Sequence, residues 1–322
     1  MMPYVPVISV DIAMLFMTVN VEYLNCLVSA SGVLANALNI AVFWRLGFKD
    51  NVNISLFVLA VAEFFSVMTA MVFSLTSNPD FVALTLIEPI GFQSLVASFP
   101  RATLSRIISC VIAFVTFEKC MCVLIPLKVK RIITRRVTAL VLSSLFISLS
   151  LTLIPFYLQL YLNWKFIPTL NQTWLCSFLT GSTPDTNITL SIHAFVQVFS
   201  YILIIIFTSI LSFEIRKRSK WLKMTTLGDQ GNHKGTRTIL MVSCVAGIYI
   251  VCYLPSLVLL LTGLAEPKFA IFREERNIYL LFYSFNILLE TFNSSINMLV
   301  YYNMSGKYRA ILIQMLRCRS RH

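Results

Sequence analysis

Seven long apolar runs, separated by short polar segments, dominate the pattern of the chain. They cover approximately residues 22–46, 53–77, 92–124, 137–161, 189–215, 237–263 and 277–302. A helix needs about 20 mostly apolar residues to cross a bilayer, and it satisfies its backbone hydrogen bonds within itself. The pattern therefore predicts an all-α membrane protein built around a bundle of seven transmembrane helices.

The last apolar run carries one polar stripe. Its members follow one another at spacings of three, four and four residues, which places them on a single helix face: Glu290, Asn293, Asn297 and Tyr301. Polar groups are costly in lipid, so we expect the stripe to face the interior of the bundle. An amphipathic segment follows residue 302, and it predicts a short eighth helix on the membrane surface.

The composition supports a membrane protein. Hydrophobic residues make up 57% of the chain and charged residues 12%, whereas charged residues make up about 25% of ordinary soluble domains. The sequence shows no phosphate-binding loop, no cluster of metal ligands and no catalytic triad, and it has three histidines. We therefore expect no enzyme activity, no cofactor and no metal site.

Basic residues are concentrated in alternate loops, and the net charge is +12. The segments after spans 1, 3, 5 and 7 hold Arg45 and Lys49, Lys128 to Arg136, Arg216 to Lys223, and Arg309 to Arg321. Because Lys and Arg favour the cytoplasmic side, this distribution predicts a multi-pass plasma-membrane protein with its N-terminus outside. The basic face is expected to meet membrane lipid and an acidic protein partner, not nucleic acid.

The segment between spans 4 and 5 is predicted to lie outside the cell. It contains two Asn-X-Thr acceptors, Asn171 and Asn187, which are predicted glycosylation sites in that location. It also contains Cys176, while most of the other cysteines lie within apolar runs.

Five short motifs occur in successive parts of the chain: Leu59-Ala60-Val61-Ala62-Glu63, Glu118-Lys119-Cys120, Pro126-Leu127, residues 248–255 with Tyr249, Tyr253 and Pro255, and Asn297-Met298-Leu299-Val300-Tyr301. In type and order they resemble the signatures of rhodopsin-like (class A) G-protein-coupled receptors. Residues 38–57 resemble in particular the chemosensory-receptor-like subgroup of molluscs and other invertebrates. Lys119 and Met298 depart from the pattern, since that family carries Arg and Pro at these places.

The resemblance implies an organisation and a function. Residues 1–21 form an extracellular N-terminus, residues 22–302 form the seven-helix bundle, and residues 303–322 form a cytoplasmic amphipathic helix and tail. The expected ligand is an extracellular small chemosensory molecule or short peptide. Binding is expected to move span 6 outward about Pro255 and so to activate a heterotrimeric G protein.

The ligand site implied by the resemblance lies near the outer mouth of the bundle. Arg101 lies eighteen residues before Lys119, or about 27 Å along a helix. An Arg at this depth favours an anionic group on the ligand. The alternative is an internal salt bridge between Arg101 and Glu290. The expected ligand-binding residues are Arg101, Ser105, His193, Gln197, Tyr253, Ser256, Tyr283 and Glu290.

Two further sites follow from the resemblance. The activation switch and G-protein contact comprise Glu118, Lys119, Cys120, Tyr249, Pro255, Asn297 and Tyr301. An ion or proton site comprises Glu63, Asn293 and Asn297. Ile108 stands where the family supplies a serine ligand for sodium, and burial favours a neutral carboxyl, so a proton is preferred over sodium at this site.

Two alternatives stay open at this point. The intramembrane charges Glu63, Arg101, Arg106 and Glu290 are also consistent with the ion path of a small transporter or channel, although no inverted repeat is visible. The resemblance implies a disulfide between the loop after span 4 and the outer end of span 3. The matching position in span 3 is Ser94, so that bridge cannot form, and Cys26 is the other outward candidate to pair with Cys176.

Overall fold

The computed structural model describes residues 8–168, 171–180, 186–224, 230–266, 268–269 and 273–319. Most of them are helical. The long helices are α1 (Val10–Met17), α2 (Asn25–Leu46), α3 (Asn51–Ser77), α6 (Phe99–Leu124), α8 (Arg135–Leu151), α10 (Thr186–Met224), α11 (Gln230–Ala265) and α12 (Arg276–Met304). The short ones are α4 (Pro79–Thr85), α5 (Pro89–Gln93), α7 (Pro126–Ile132) and α9 (Ile154–Gln159), with α13 (Gly306–Arg319) last.

Wide π-helical turns join two pairs of helices into continuous rods. Thr18–Leu24 links α1 to α2, and Ser94–Ser98 links α5 to α6. A π-turn inserts an extra residue per turn, which shifts the face that later side chains present. In the first of these turns Asn20 is buried and donates to the Ser284 hydroxyl of α12 at 3.0 Å. The turn therefore connects this rod to α12.

Six of the described helical segments are long and apolar enough to cross a bilayer. They are Val10–Leu46, Asn51–Ser77, Pro89–Leu124, Arg135–Gln159, Asn187–Lys217 and Arg237–Ala265. Their mean hydropathy lies between 1.8 and 2.3, and many of their large apolar side chains are exposed on the outer faces. Long helices that satisfy their backbone hydrogen bonds internally and expose apolar side chains on their outer faces are the arrangement of a membrane bundle. The chain is a multi-pass membrane protein.

The helices α2, α3, α6, α10, α11 and α12 pack in that order as a ring, because α12 also packs against α2. The helix α8 lies outside the ring against α3 and α6, and α13 lies against α2 and α12. One continuous apolar core fills the ring, with contributions from every one of these helices. The helix α6 contacts α3, α8, α10 and α11, so its side chains reach most of the interior.

A two-stranded antiparallel hairpin follows α9. Strand β1 (Leu160–Ile167) pairs with β2 (Gln172–Leu179), and Leu175 of β2 exchanges backbone hydrogen bonds of 2.9 Å with Leu86 and Glu88. The Glu88 carboxylate accepts from the Ser177 hydroxyl at 2.9 Å and from the Gly91 amide at 3.0 Å. We call these contacts between β2 and residues 86–91 the hairpin latch. The end of the ring that carries it is the hairpin end, and the opposite end, with Lys119, is the basic end.

The hydrophobic pattern predicted six of the spans, whereas the seventh predicted run, residues 277–302, lies within α12, which is not among the described helices that are long and apolar enough to cross a bilayer. It predicted the surroundings of the spans less well. The first helical rod begins at Val10 and not near residue 22, and residues 160–161 belong to β1 and not to the fourth span. Much of the expected loop at residues 216–236 is helical, because α10 runs to Met224 and α11 begins at Gln230. The all-α expectation missed the hairpin, since β pairing depends on a partner strand and not on the pattern of one segment.

Candidate functional site

A cavity of about 650 Å³ opens at the hairpin end of the ring. Its walls come from α6, α10, α11 and α12, with apolar residues such as Leu190, Leu259 and Leu260 beside a few polar ones. Pockets for small organic molecules commonly have about 300–1,000 Å³ and a mostly apolar lining with a few placed polar groups. The size and lining therefore suit a small amphipathic molecule.

Arg101 and Glu290 form an ion pair in the wall of this cavity. An Arg101 Nη2 atom lies 3.3 Å from Glu290 Oε2 and also donates to the Ile287 carbonyl at 2.9 Å. The other carboxylate oxygen of Glu290 accepts from the Asn286 amide at 3.2 Å. The salt bridge between Arg101 and Glu290, which was the alternative to a direct contact of Arg101 with the ligand, is therefore present. It joins α6 to α12.

Arg106 lies on the same helix and lines the same cavity. It follows Arg101 by five residues, or about 7.5 Å deeper along α6 at 1.5 Å per residue. Its Nη1 atom donates to the Ala102 carbonyl at 3.3 Å, and its buried Nε atom has no partner. Within the described part of the chain Arg106 forms no ion pair. The two arginines of α6 thus differ in their charge compensation.

The cavity brings together five of the residues expected to bind a ligand: Arg101, His193, Ser256, Tyr283 and Glu290. Among them, His193 Nε2 lies 2.7 Å from the Thr152 hydroxyl. The other three, Ser105, Gln197 and Tyr253, are buried beneath the cavity and are not among the described residues that line it.

Aromatic side chains form the core below the cavity. Tyr249 and Tyr253 of α11 stack with ring centroids 4.2 Å apart, and the Gln197 amide of α10 donates to the Tyr249 hydroxyl at 3.3 Å. The Tyr201 hydroxyl of α10 donates to the Ile250 carbonyl at 2.7 Å. Pro255 lies inside α11 just beyond these contacts, and a proline there removes a backbone hydrogen bond and weakens the helix locally.

A second polar cluster lies midway along the ring. Glu63 of α3 is fully buried, and its Oε1 atom accepts from the Asn297 amide of α12 at 2.5 Å. The Oε2 atom of Glu63 and both polar atoms of the Asn293 side chain have no hydrogen-bond partner in the described part of the chain. Ile108 is fully buried in the apolar core. The geometry brings Glu63 and Asn297 together and provides no serine ligand at Ile108.

A hydrogen-bonded chain continues from this cluster to the basic end. Asn36 of α2 donates to the Ser294 carbonyl at 2.7 Å, and Asn39 donates to Asn36 at 3.1 Å. The Tyr308 hydroxyl of α13 donates to Asn39 at 2.5 Å. Burial raises the pKa of Tyr308, so its hydroxyl keeps the proton that it donates. Nearby, Tyr301 packs edge-on against Phe43 with centroids 5.2 Å apart.

The expected switch residues lie at the basic end. Glu118 Oε1 and Lys119 Nζ are 3.5 Å apart, and both side chains are mostly buried. They line a cavity of about 460 Å³ together with Asp50 and Arg135. A neighbouring cavity of about 420 Å³ lies between α2, α3, α11 and α12, with Arg237 and Tyr301 in its wall. Cys120 is fully buried and packs against Leu211 and Ile239.

The expected modification sites lie at the hairpin end. Asn171 is exposed in the turn between β1 and β2 with a positive φ of 50°, and Asn187 is exposed at the start of α10 beside the cavity. Cys176 and Cys26 are both free thiols, so the alternative disulfide is absent and the hairpin latch takes its structural place.

Sequence reasoning missed Arg106 as a residue of the ligand site. The signal was the presence of two arginines, Arg101 and Arg106, in the outer half of one span, because Glu290 can form a salt bridge with one of them and leaves the other available. Helical spacing alone did not place Arg106 beside Arg101, because residues five apart do not lie on one narrow helix face.

Neither a comparison with models of known protein families nor a comparison with curated proteins finds a match to this chain. The function is therefore inferred from the residues of the chain and their geometry.

Proposed function

We propose that the chain is a seven-helix receptor that binds a small extracellular ligand at the hairpin end and activates a heterotrimeric G protein at the basic end. In this proposal α12 is the seventh membrane span, α13 is the eighth, surface-lying helix, and the N-terminus is outside. The observation that carries the proposal is a pair of cavities, of about 650 Å³ and 420 Å³, near opposite ends of one ring and lined in part by α11 and α12.

The interior of α11 offers a route between the two cavities. Its residues contribute Ser256 and Leu260 to the hairpin-end cavity and Arg237 and Met241 to the basic-end cavity. Pro255 lies between these two groups. A ligand that favours one position of the hairpin-end part of α11 therefore changes the width of the 420 Å³ cavity at the basic end, provided that it binds the two arrangements with different affinities.

In this mechanism the contacts of Glu118 stabilise the resting state. The ion pair with Lys119 keeps the lysine side chain folded against α6 in a mostly buried position. A lysine lacks the planar fork of an arginine, so it pairs with a carboxylate less directionally. We expect the pair to hold Lys119 in its mostly buried position in the resting state and to release it when α11 moves.

The test removes the charge of Glu118 and measures basal signalling. In cells that carry dissociation sensors for each major Gα class, Glu118→Gln should raise basal activity roughly fivefold over the wild type in at least one class, because a coupling of about 1 kcal/mol is lost. Glu274→Gln is the matched control, since it changes the same chemistry at an exposed hairpin-end position.

A normal amount of Glu118→Gln at the cell surface together with unchanged basal activity in every Gα class would contradict the proposal. The transporter or channel alternative has its own readout in the same cells. Ion currents or substrate uptake that depend on Glu63 and Arg106, without any G-protein signal, would replace the receptor by that alternative.

A further inference from the structure

We infer that the hairpin-end cavity binds a small organic monocarboxylate whose carboxylate group pairs with Arg106. The inference rests on the proposed receptor function and names the chemical class of the ligand. It moves the anion-binding role from Arg101, where the sequence pattern placed it, to the arginine that lies deeper on α6.

The first step is the charge balance of the cavity. Glu290 is the one carboxylate among the described residues that line it, and both of its oxygens are occupied, by Arg101 and by Asn286. The pair of Arg101 and Glu290 is therefore neutral. Arg106 adds one positive charge that has no counter-ion among the described residues, and a part-buried charge without a counter-ion is unfavourable.

The second step is the donor geometry of Arg106. One of its Nη atoms donates to the Ala102 carbonyl, while its Nε atom is buried and has no partner among the described residues. A guanidinium group binds a carboxylate best through two parallel N–H donors. Arg106 thus combines an uncompensated charge with an unused donor in the wall of a cavity of ligand size.

The third step selects the class of anion. One uncompensated cation matches one negative charge, and a dianionic phosphate would bring a second charge into the same apolar surroundings. The walls of the cavity include Leu190, Ala194 and Leu259, which suit an aliphatic or aromatic body. A carboxylic acid of moderate size meets both conditions.

The experiment measures thermal unfolding of the purified full chain in lipid nanodiscs. The probes are octanoate, phenylacetate and benzoate, each compared with its own amide, and sodium chloride as an inorganic anion. At least one carboxylate should stabilise the wild type with an affinity about tenfold above that of its amide, as one charge-assisted bidentate contact predicts. In Arg106→Gln this preference should fall to about one.

The same variants give a readout that needs no ligand. Without any probe, Arg106→Gln should unfold at a temperature roughly 2–4 °C above the wild type, because a part-buried cation without a counter-ion has been removed. Arg101→Gln is the matched control and should unfold at a lower temperature, since it leaves Glu290 without its partner. A decrease for Arg106→Gln as well would show a counter-ion inside the protein and overturn the inference.

Asp185 is an acidic residue close along the chain to the cavity-lining Asn187, and it lies outside the described residues. The set therefore includes Asp185→Asn and its combination with Arg106→Gln. If Asp185→Asn alone destabilises the protein and the double variant recovers, Arg106 has an internal partner and the inference is wrong.

Two further results would also overturn it. One is that no carboxylate binds better than its amide; the other is that chloride alone gives the whole stabilisation that Arg106→Gln removes. A failure of this inference can be told apart from a failure of the receptor proposal, because the binding measurement needs no G protein and the basal signalling of Glu118→Gln needs no ligand.

Discussion

Two helix interfaces of the ring, the seam of α12 with α2 and α3 and the seam of α11 with α10, are built from different interactions. Where α12 meets α2 and α3, the helices are joined by buried hydrogen bonds from Asn36, Ser295 and Asn297, and Gly32 lets the backbones approach closely. Where α11 meets α10, the contact is mainly aromatic and apolar, with two hydrogen bonds from Gln197 and Tyr201 among the described contacts.

The difference indicates which part of the ring moves. A buried polar network loses several hydrogen bonds when its helices shift, whereas an apolar seam can slide with little change in free energy. The α2–α12 side is therefore expected to act as the fixed frame, and the α10–α11 side, next to Pro255, as the part that rearranges. Three substitutions test this comparison.

The largest effect is expected at the closest approach of the frame. A Cβ atom on Gly32 would lie 2.3 Å from Ser295 Oγ and 3.0 Å from a methyl carbon of Val67. Gly32→Leu should destabilise the protein by about 3 kcal/mol, because a tightly packed contact has no room for the added atoms. Thermal unfolding in nanodiscs measures this change.

Gly247→Leu is the size-matched control for this substitution. Gly247 also lies inside a long helix, but a Cβ atom there meets nothing within 4 Å. It should leave the unfolding temperature unchanged or raise it slightly, since glycine is a poor helix former. Equal losses for the two variants would mean that the α2–α12 seam is not especially close.

A smaller effect is expected at Glu63. Glu63→Ala removes the acceptor of the Asn297 amide and leaves a buried donor unpaired, which should cost about 2 kcal/mol. Glu63→Gln keeps an oxygen acceptor in the same place and should stay close to the wild type in stability. If Glu63→Gln is as unstable as Glu63→Ala, the carboxylate charge is required, and a bound cation becomes the better explanation than a proton.

The smallest change in stability is expected on the moving side. Tyr201→Phe removes the hydrogen bond to the Ile250 carbonyl, for about 1 kcal/mol. Because Ile250 lies in the turn of α11 before Pro255, we expect this variant to change basal G-protein signalling, whereas the frame variants change stability alone. Tyr302→Phe, at a partly exposed ring, is the control. Unchanged signalling in Tyr201→Phe would place the moving seam elsewhere.

The sequence carried most of the information about the helices. A long, mostly apolar segment can satisfy its backbone hydrogen bonds in lipid by forming a helix, so the ranges around residues 53–77 and 237–263 were close to α3 and α11. The polar stripe on α12 also faces inward as predicted: Glu290, Asn293 and Asn297 are all buried. Periodicity is sufficient for such features because they depend on one helix at a time.

The remaining features depend on pairs of distant segments. The pattern of α6 could not show that Arg101 meets Glu290 while Arg106 meets no carboxylate of the described residues, because the difference is set by the rotation of α12 relative to α6. The latch between Glu88 and Ser177 joins residues that are far apart in the chain. The π-turn before α2 has no clear sequence signal either, since its extra residue is accommodated by packing.

The hairpin latch has a consequence for how the protein responds to its redox environment. Its contacts are the backbone hydrogen bonds of Leu175, the hydrogen bond from Ser177 to the Glu88 carboxylate, and the close approach of Ser177 to Gly91. A Cβ atom added at Gly91 would lie 2.0 Å from the Cβ atom of Ser177. None of these contacts contains a sulfur–sulfur bond. A mild reducing agent should therefore leave the entrance to the cavity intact, and the hairpin can detach and return on the timescale of loop motion without any bond chemistry.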